Sequence, residues 1–361
     1  MAQDDPAISS PADGVPELVP VLPNHRFDEA ALVRYLRDHL PDFAGEMAVR
    51  QFQGGQSNPT FHLTAGARAY VLRKKPPGKL LPSAHAVDRE YRVMRALAET
   101  AVPVPRMHLL CPDESVIGQM FYVMDYVPGR VFADRALPGC TPAERAAMYD
   151  DMNRVLAALH GVDWRAVGLE GFGRPEGYFS RQIARWSKQY EASRVEDVAS
   201  MEHLMRWLPE QVPPADEATI AHGDYRLGNL LFHPTEPRVA AVLDWELATI
   251  GHPLADLGYN VLTYRLPASA GGAPEAEMVA LGIPSEAEYV AAYCRRTGRA
   301  GVPELRFVVV FSMFRLAAIV AGVYRRALDG NAADARGLER GAMFREIADR
   351  AWEIAQASER H

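Results

Sequence analysis

Apolar and polar positions follow three regimes along this chain. Residues 1–22 carry no period and are dominated by Pro, Asp, Ser and Ala, which predicts a flexible tail. From Phe27 the apolar positions fall at helical spacing through Ala31, Leu32, Tyr35, Leu36 and Leu40, with Asp28 placed as an N-cap. Alternation then predicts strands over 48–52, 60–64 and 69–74, the first two joined by the turn Gly54-Gly55-Gln56-Ser57-Asn58. A helix over 83–100 follows, with Val87, Tyr91, Met94, Leu97 and Ala98 on one face, then two strands between 106 and 126 that end at Pro128-Gly129. From Thr141 the pattern turns helical. Thr141-Pro142-Ala143-Glu144 reads as a capping box with Pro at the first helical position, opening a helix to His160. Further helices are predicted over 175–191, 195–208, 253–264, 285–297, 303–328 and 333–357. One β-like stretch, 219–249, interrupts them: a short strand, a polar loop, and two apolar runs (229–232 and 238–243) joined through Pro234 and Pro237. The pattern as a whole predicts an α+β chain, with a small β-rich N-terminal lobe over 23–127 and a large, mainly helical C-terminal lobe over 128–361.

Composition narrows the function. With 361 residues, 48% hydrophobic and 24% charged, the chain has the make-up of a globular protein with a sizeable core. Lys+Arg 39 against Asp+Glu 46 gives a net charge of -7, which argues against nucleic acid or an anionic membrane as partner. Cys111, Cys140 and Cys294 fit no metal-ligand spacing and cannot all pair, so a reducing compartment, the cytoplasm, is expected. Acidic residues near the N-terminus replace the basic start of a signal peptide. The most apolar segment, 307–323, is interrupted by Arg315 and is shorter than the ~20 residues of a membrane span, so it is expected to be a buried helix.

The candidate chemistry lies in 219–249. Asp224 sits in the polar loop, Asn229 follows five positions later, and Asp244 ends the next strand. Three oxygen-bearing side chains so ordered suit phosphoryl transfer, where catalysis is mostly positioning and charge neutralisation. Asp224 would accept the proton of an attacking hydroxyl, while Asn229 and Asp244 supply hard oxygen ligands to a Mg²⁺ on nucleotide phosphates. The order matches the kinase catalytic loop, H-x-D-x-x-x-x-N and then a metal-binding Asp. It reads here as His222-Gly223-Asp224, Asn229 and Asp244-Trp245-Glu246. Arg226 falls where protein kinases carry a Lys that meets the transferring phosphoryl group. His222 orients such a loop, and Glu246 either caps the next helix or reaches a second Mg²⁺.

HGDYRLGNLLF and LDWELATIGHPLADLGY resemble the aminoglycoside phosphotransferase and choline kinase-like family, above all the phosphotransferase domains attached to acyl-CoA dehydrogenase family members ten and eleven and their free-standing bacterial relatives. The resemblance runs from about Gln51 to the C-terminal helices. It implies a two-lobed protein-kinase-like fold and an enzyme that uses ATP, or GTP, with Mg²⁺ to phosphorylate a small-molecule alcohol. By position it implies that Arg73 holds the α- and β-phosphates, with Lys75 in reserve and Lys74 pointing away, and that Glu90 pairs with Arg73. Ser57 and Asn58 in the glycine turn would hold phosphate oxygens, and backbone groups of Met124, Asp125, Tyr126 and Val127 would bind adenine. Asp256 would tether the catalytic loop, and His252 would be a packing residue.

Closeness to the dehydrogenase-linked domains points to a hydroxyacyl-CoA, such as a 4-hydroxyacyl thioester, or a related hydroxy acid as acceptor. Arg181, Arg185, Lys188, Arg325 and Arg326 are placed to meet CoA phosphates. An aminoglycoside or choline-type acceptor is the alternative within the family. Outside it stand a catalytically silent nucleotide-binding module of the same fold and a metal-dependent hydrolase built on His222, Asp224, His252 and Asp256.

Overall fold

The structure is a computed structural model that describes residues 17–53, 58–77, 85–330 and 337–357. In chain order it comprises β1 (Leu18–Val19), α1 (Glu29–His39), β2 (Met47–Phe52), β3 (Thr60–Ala65), β4 (Arg68–Lys74), α2 (Val87–Leu97), β5 (Met107–Cys111) and β6 (Phe121–Asp125). Then come α3 (Pro142–His160), α4 (Tyr178–Ser193), α5 (Ala199–Glu210), β7 (Thr219–Ala221), β8 (Leu230–Phe232), β9 (Val239–Val242) and β10 (Thr249–Gly251). The remainder is helical: α6 (Pro253–Val261), α7 (Glu275–Ala280), α8 (Glu286–Thr297), α9 (Leu305–Leu328), α10 (Gly337–Ala342) and α11 (Phe344–Gln356).

The chain packs as two compact units. The first takes the described residues up to Cys140 together with Arg165–Leu169 and Leu227–Ala248. Its centre is a six-stranded antiparallel sheet in the order β1-β2-β3-β4-β6-β5. Side chains alternate across such a sheet. Phe61, Leu63, Leu72, Phe121 and Val123 therefore form one face and pack against Leu32 and Leu36 of α1. Asp28 caps α1, its Oδ1 accepting from the N–H of Ala31 at 2.9 Å. The opposite face meets α2, which packs on β5 and β6.

Two boundaries differ from those expected. Leu18 and Val19 belong to the sheet as β1, paired with Phe52 and Gln51, and just beyond them the N–H of Leu22 donates to Oε1 of Gln51 at 3.1 Å. The first unit also continues past residue 127 and takes in the β8–β9 hairpin. Arg130 and Phe232 exchange backbone hydrogen bonds at 2.8 Å each, and the N–H of Val242 donates to the carbonyl of Pro103 at 2.9 Å.

In the second unit α9 runs through the middle and packs against α4, α6, α10 and α11. It has 24 residues and is long and apolar enough to cross a membrane by length and composition, more so than expected, yet 72% of its most apolar window is buried in the protein. α3 begins with the expected capping box of Thr141 and Glu144. β7 pairs antiparallel with β10, Ile220 opposite Ile250, and β10 leads into α6. The helix expected over 333–357 is two, α10 and α11, broken at Met343, with residues 333–336 outside those described. α7, six residues long, is too short for its period to show in sequence.

Close approach of α6 and α9 centres on Gly258, where an added Cβ would lie 2.6 Å from the carbonyl oxygen of Val308. Gly258→Ala is expected to destabilise by about 1–3 kcal/mol through overpacking of two main chains. Urea unfolding of the variant beside the wild type measures it.

Candidate active site

β4 alternates like its neighbours: Tyr70, Leu72 and Lys74 are on the α1 side, while Val71 and Arg73 are on the other. Lys74 is buried with its Nζ 5.7 Å from the Phe27 ring centroid. Arg73 meets α2. Its Nε lies 3.0 Å from Oε2 of Glu90, whose side chain is 1% exposed. Tyr122 stands directly across from Arg73 on β6, and its hydroxyl donates to the same Oε2 at 2.9 Å. Asn58, fully buried, donates from Nδ2 to Oε1 at 2.8 Å. Burial pushes the Glu90 carboxyl up to about 7, against the pull of Arg73 and Tyr122 in the other direction. For Arg73 burial disfavours the charge, but Glu90, Tyr122, Asp244 and Glu246 outweigh it and hold the guanidinium protonated.

The β8–β9 hairpin brings the next groups to Arg73. Asp244 follows β9 in the left-handed region, at φ 65° and ψ 61°, a conformation that L-residues with a Cβ rarely adopt and that concentrates at functional sites. Trp245, 1% exposed, anchors this turn by donating from Nε1 to the carbonyl of Val242 at 3.0 Å. The turn directs Oδ1 of Asp244 to 3.1 Å from Nη2 of Arg73, and Oε2 of Glu246 lies 3.9 Å from the same nitrogen. Asn229 is buried at the start of the hairpin, its carbonyl accepting from the N–H of Leu243 at 2.9 Å.

Arg73, Asn229 and Asp244 line one cavity of about 310 Å³ in the first unit. Its other walls include Val71, Met124, Leu231 and Leu243, apolar surfaces that suit a flat aromatic base, with Asp125, Tyr126 and Val127 along the rim strand. Three carboxylates around one guanidinium leave the cluster net negative, and an amide oxygen adds a neutral donor. An oxygen set of this kind could hold a Mg²⁺ whose shell water and nucleotide phosphates complete. Among the described residues no three His, Cys, Asp or Glu side chains form a self-sufficient metal site.

The second unit carries the loop after β7. Gly223 has φ +84°, a conformation natural to glycine. Asp256, buried in the first turn of α6, accepts from the N–H of His222 at 2.6 Å and from that of Gly223 at 2.8 Å. Behind it, His160 Nε2 lies 3.4 Å from Oδ2 of Asp256, and His160 Nδ1 lies 2.7 Å from the hydroxyl of Tyr293. Although burial alone would raise the Asp256 carboxyl, His160, His222 and the Gly223 amide hold it below the ordinary value. Nδ1 of His222 accepts from the N–H of Asp224 at 3.2 Å. The Asp224 carboxylate takes the Arg226 Nε–H at 3.1 Å and a hydrogen bond from Tyr259. The Tyr259 hydroxyl is raised above its ordinary value by burial first and by Asp224 second. Tyr225 pins the loop, donating to the carbonyl of Met152 at 2.7 Å while its own carbonyl accepts from Asn260 at 3.1 Å.

The first unit thus gathers Arg73, Glu90, Asn229, Asp244 and the 124–127 strand end, while Asp224 and Arg226 belong to the second unit's loop, which runs on in sequence to Asn229. Asn58 departs from the expected phosphate role: its amide is spent on Glu90 and its Oδ1 lies 3.1 Å from His85 Nδ1, so it orients the ion pair instead. The Asp125 N–H is likewise engaged, donating to the carbonyl of Arg106 at 2.9 Å, and its carboxylate lies 2.6 Å from His108. Ser57 lies outside the described residues. His252 caps α6, with Nδ1 accepting from the N–H of Leu254 at 3.2 Å. Tyr122, Tyr259 and His160 have no sequence signature that marks them. Arg315 has one, as a lone charge in an apolar run.

Arg73→Met would leave Glu90 buried without its cation, at a cost of about 3–5 kcal/mol at pH 8. The Glu90 carboxyl keeps its proton to higher pH in the folded chain than in the unfolded one, whose ordinary value is 4.5. Stability therefore rises as pH falls through this window, and the deficit is expected to narrow between pH 8 and pH 5. Urea unfolding of variant and wild type at both pH values measures it.

The chain has relatives among known proteins. A family model described as the phosphotransferase enzyme family matches residues 48–308. Mouse acyl-CoA dehydrogenase family member 10 is 44% identical over 346 residues, covering 95% of this chain and 32% of that protein. Chicken acyl-CoA dehydrogenase family member 11 is 46% identical over 342 residues, covering 92% of this chain and 44% of that protein. The chain therefore spans less than half the length of these relatives. A Ralstonia eutropha protein, provisionally assigned as an aminoglycoside phosphotransferase, superposes with a TM-score of 0.85 at 50% identity, covering 92% of this chain and 99% of its own. A thermostable mutant of the aminoglycoside phosphotransferase APH(4)-Ia, solved with AMP-PNP and hygromycin B, shares the fold with a TM-score of 0.59 at 20% identity, covering 91% of this chain and 99% of its own. The chain belongs to the phosphotransferase enzyme family, as a small-molecule kinase on the protein-kinase-like fold.

Proposed function

We propose that this kinase transfers the γ-phosphate of ATP, with Mg²⁺, to the hydroxyl of a hydroxyacyl-CoA in the cytoplasm. The observation that carries the nucleotide part is the convergence of Arg73, Asn229 and Asp244 on one cavity wall, with Glu90 fixing Arg73 from behind. Asn229 and Asp244 would hold the Mg²⁺, which when bound neutralises phosphate charge. Arg73 binds phosphate oxygens, and the apolar walls take the base. GTP in place of ATP would use the same phosphate contacts.

Asp224 receives the proton of the acceptor hydroxyl. The acceptor oxygen forms its bond to the γ-phosphorus as the bond from that phosphorus to the β–γ bridging oxygen breaks, and ADP leaves with the electron pair. Arg226, paired with Asp224, would supply a cation to the transferring group.

The acceptor reading rests on the two acyl-CoA dehydrogenase relatives and on charge. Several carboxylates of the second unit are paired: Glu286 with Arg265, Asp150 with Arg296, Glu217 with Arg299 and Glu196 with Arg345. Arg181 and Arg185 on α4, by contrast, form no ion pair among the described residues, the former donating to the carbonyl of Arg174 and the latter lying over Trp186. Such cations suit the phosphates of CoA.

The test is transfer from labelled ATP to a panel of 4-hydroxyacyl-CoAs, free hydroxy acids, choline and aminoglycosides. Transfer to a hydroxyacyl-CoA is expected, falling by about 10³-fold or more in Asp224→Asn while nucleotide affinity holds. Transfer to choline or an aminoglycoside alone would overturn the acceptor. Bound nucleotide with no transfer to any acceptor would favour a silent module.

A further inference from the structure

Arg315 lies near the middle of α9, among residues that are otherwise almost all apolar, and is only 6% exposed. Its Nη2 donates to the carbonyl of Gly223 at 2.6 Å. The guanidinium carbon stands 5.4 Å from the ring centroid of Trp186 and 5.2 Å from that of Tyr259, at cation–π distance from both. Its Nε–H finds no acceptor among the described residues. Burying a cation in an apolar helix is costly, and a well-packed apolar side chain of similar volume usually serves stability as well or better. Stability alone is thus a weak account of this arginine.

Its hydrogen bond falls on a residue of the loop that is already held from the other side. The Gly223 N–H is already held by Asp256, and Arg315 takes the carbonyl of the same residue, so both polar groups of Gly223 are fixed. The next residue is Asp224. Its carboxylate is hydrogen-bonded by Tyr259, the ring that Arg315 packs against. One guanidinium therefore restrains Asp224 twice, through the peptide before it and through the ring that donates to it.

We infer that Arg315 is a positioning residue for Asp224: by holding the Gly223 carbonyl and the Tyr259 ring it sets where the Asp224 carboxylate meets the acceptor hydroxyl. The inference rests on the reading of Asp224 as the proton acceptor. A displacement of about 1 Å in such a group can cost on the order of a hundredfold in rate without touching binding. Arginine suits the task because its planar head stacks on a ring while its N–H groups point in the plane. The ammonium of lysine can keep the hydrogen bond but cannot stack in that way.

The test uses the full chain with Arg315→Met, Arg315→Lys and Tyr259→Phe. Four quantities are followed: urea unfolding, AMP-PNP affinity, hydrogen exchange of the 219–229 segment, and hydrolysis of MgATP with water as acceptor. Arg315→Met is expected to unfold at the same or higher urea concentration and to bind AMP-PNP like the wild type. Its loop should exchange about tenfold faster and its hydrolysis fall by roughly ten- to a hundredfold. Arg315→Lys should recover part of both losses, and Tyr259→Phe should lose turnover with little change in exchange at Gly223. Wild-type exchange and turnover in Arg315→Met would overturn the inference. So would a loss of stability large enough to account for the lost activity. A wild type that turns over no ATP with water or any acceptor would overturn the kinase reading, while faster loop exchange in Arg315→Met would still support the clamp.

Discussion

An arginine and a glutamate removed from water together are worth having only when each finds its full set of partners, because desolvation takes several kcal/mol from each ion. Arg73 and Glu90 meet that condition through the sheet and α2 at once. Glu90 receives Tyr122 and Asn58 as well as Arg73, and Arg73 reaches on to Asp244. Strand alternation places Arg73 and Tyr122 on the same face, and helical spacing turns Glu90 toward them. The left-handed turn at Asp244 closes the set. Each of these local choices makes sense only if the others hold, so the cavity wall behaves as one unit.

The second unit solves a different problem with the same means. A loop that carries the proposed catalytic base, Asp224, must stay still without regular secondary structure. Gly223 supplies the backbone conformation, and Asp256 and Arg315 hold its N–H and its carbonyl, one in each flanking peptide. His160 and Tyr293 back Asp256 in turn. The loop's rigidity is thus borrowed from α3, α6, α8 and α9, which explains why a helix as apolar as α9 carries a buried charge.

Much of this was legible in the residues. The order His222, Asp224, Asn229, Asp244 marks the candidate chemistry, the caps at Asp28 and Thr141 mark two helix starts, and alternation along β4 separates Arg73 from Lys74. What stayed hidden depends on which side chains meet across long separations in sequence. Asn58 reads as a turn residue with a polar group to offer a phosphate, and only the fold, which brings the residue before β3 to Glu90 of α2, shows that its amide is spent there. Asp125 reads as a strand end, and only the sheet register shows its N–H committed to Arg106. Tyr259 sits in a helix where an aromatic ring ordinarily signals core, and its bond to Asp224 depends on how α6 lies against the loop. Arg315 was visible as an anomaly, but an anomaly in sequence has no partner until the fold supplies one.

The account stands on the claim that Arg73, Asn229 and Asp244 make a Mg²⁺-nucleotide site. Calorimetric titration of AMP-PNP into the wild type and Asp244→Ala, each with and without Mg²⁺, tests it most directly. Wild-type affinity should tighten by about tenfold or more when Mg²⁺ is present, and Asp244→Ala should lose that gain while keeping the metal-free affinity. Nucleotide binding that is indifferent to Mg²⁺ in the wild type, or a gain that survives in Asp244→Ala, would contradict it.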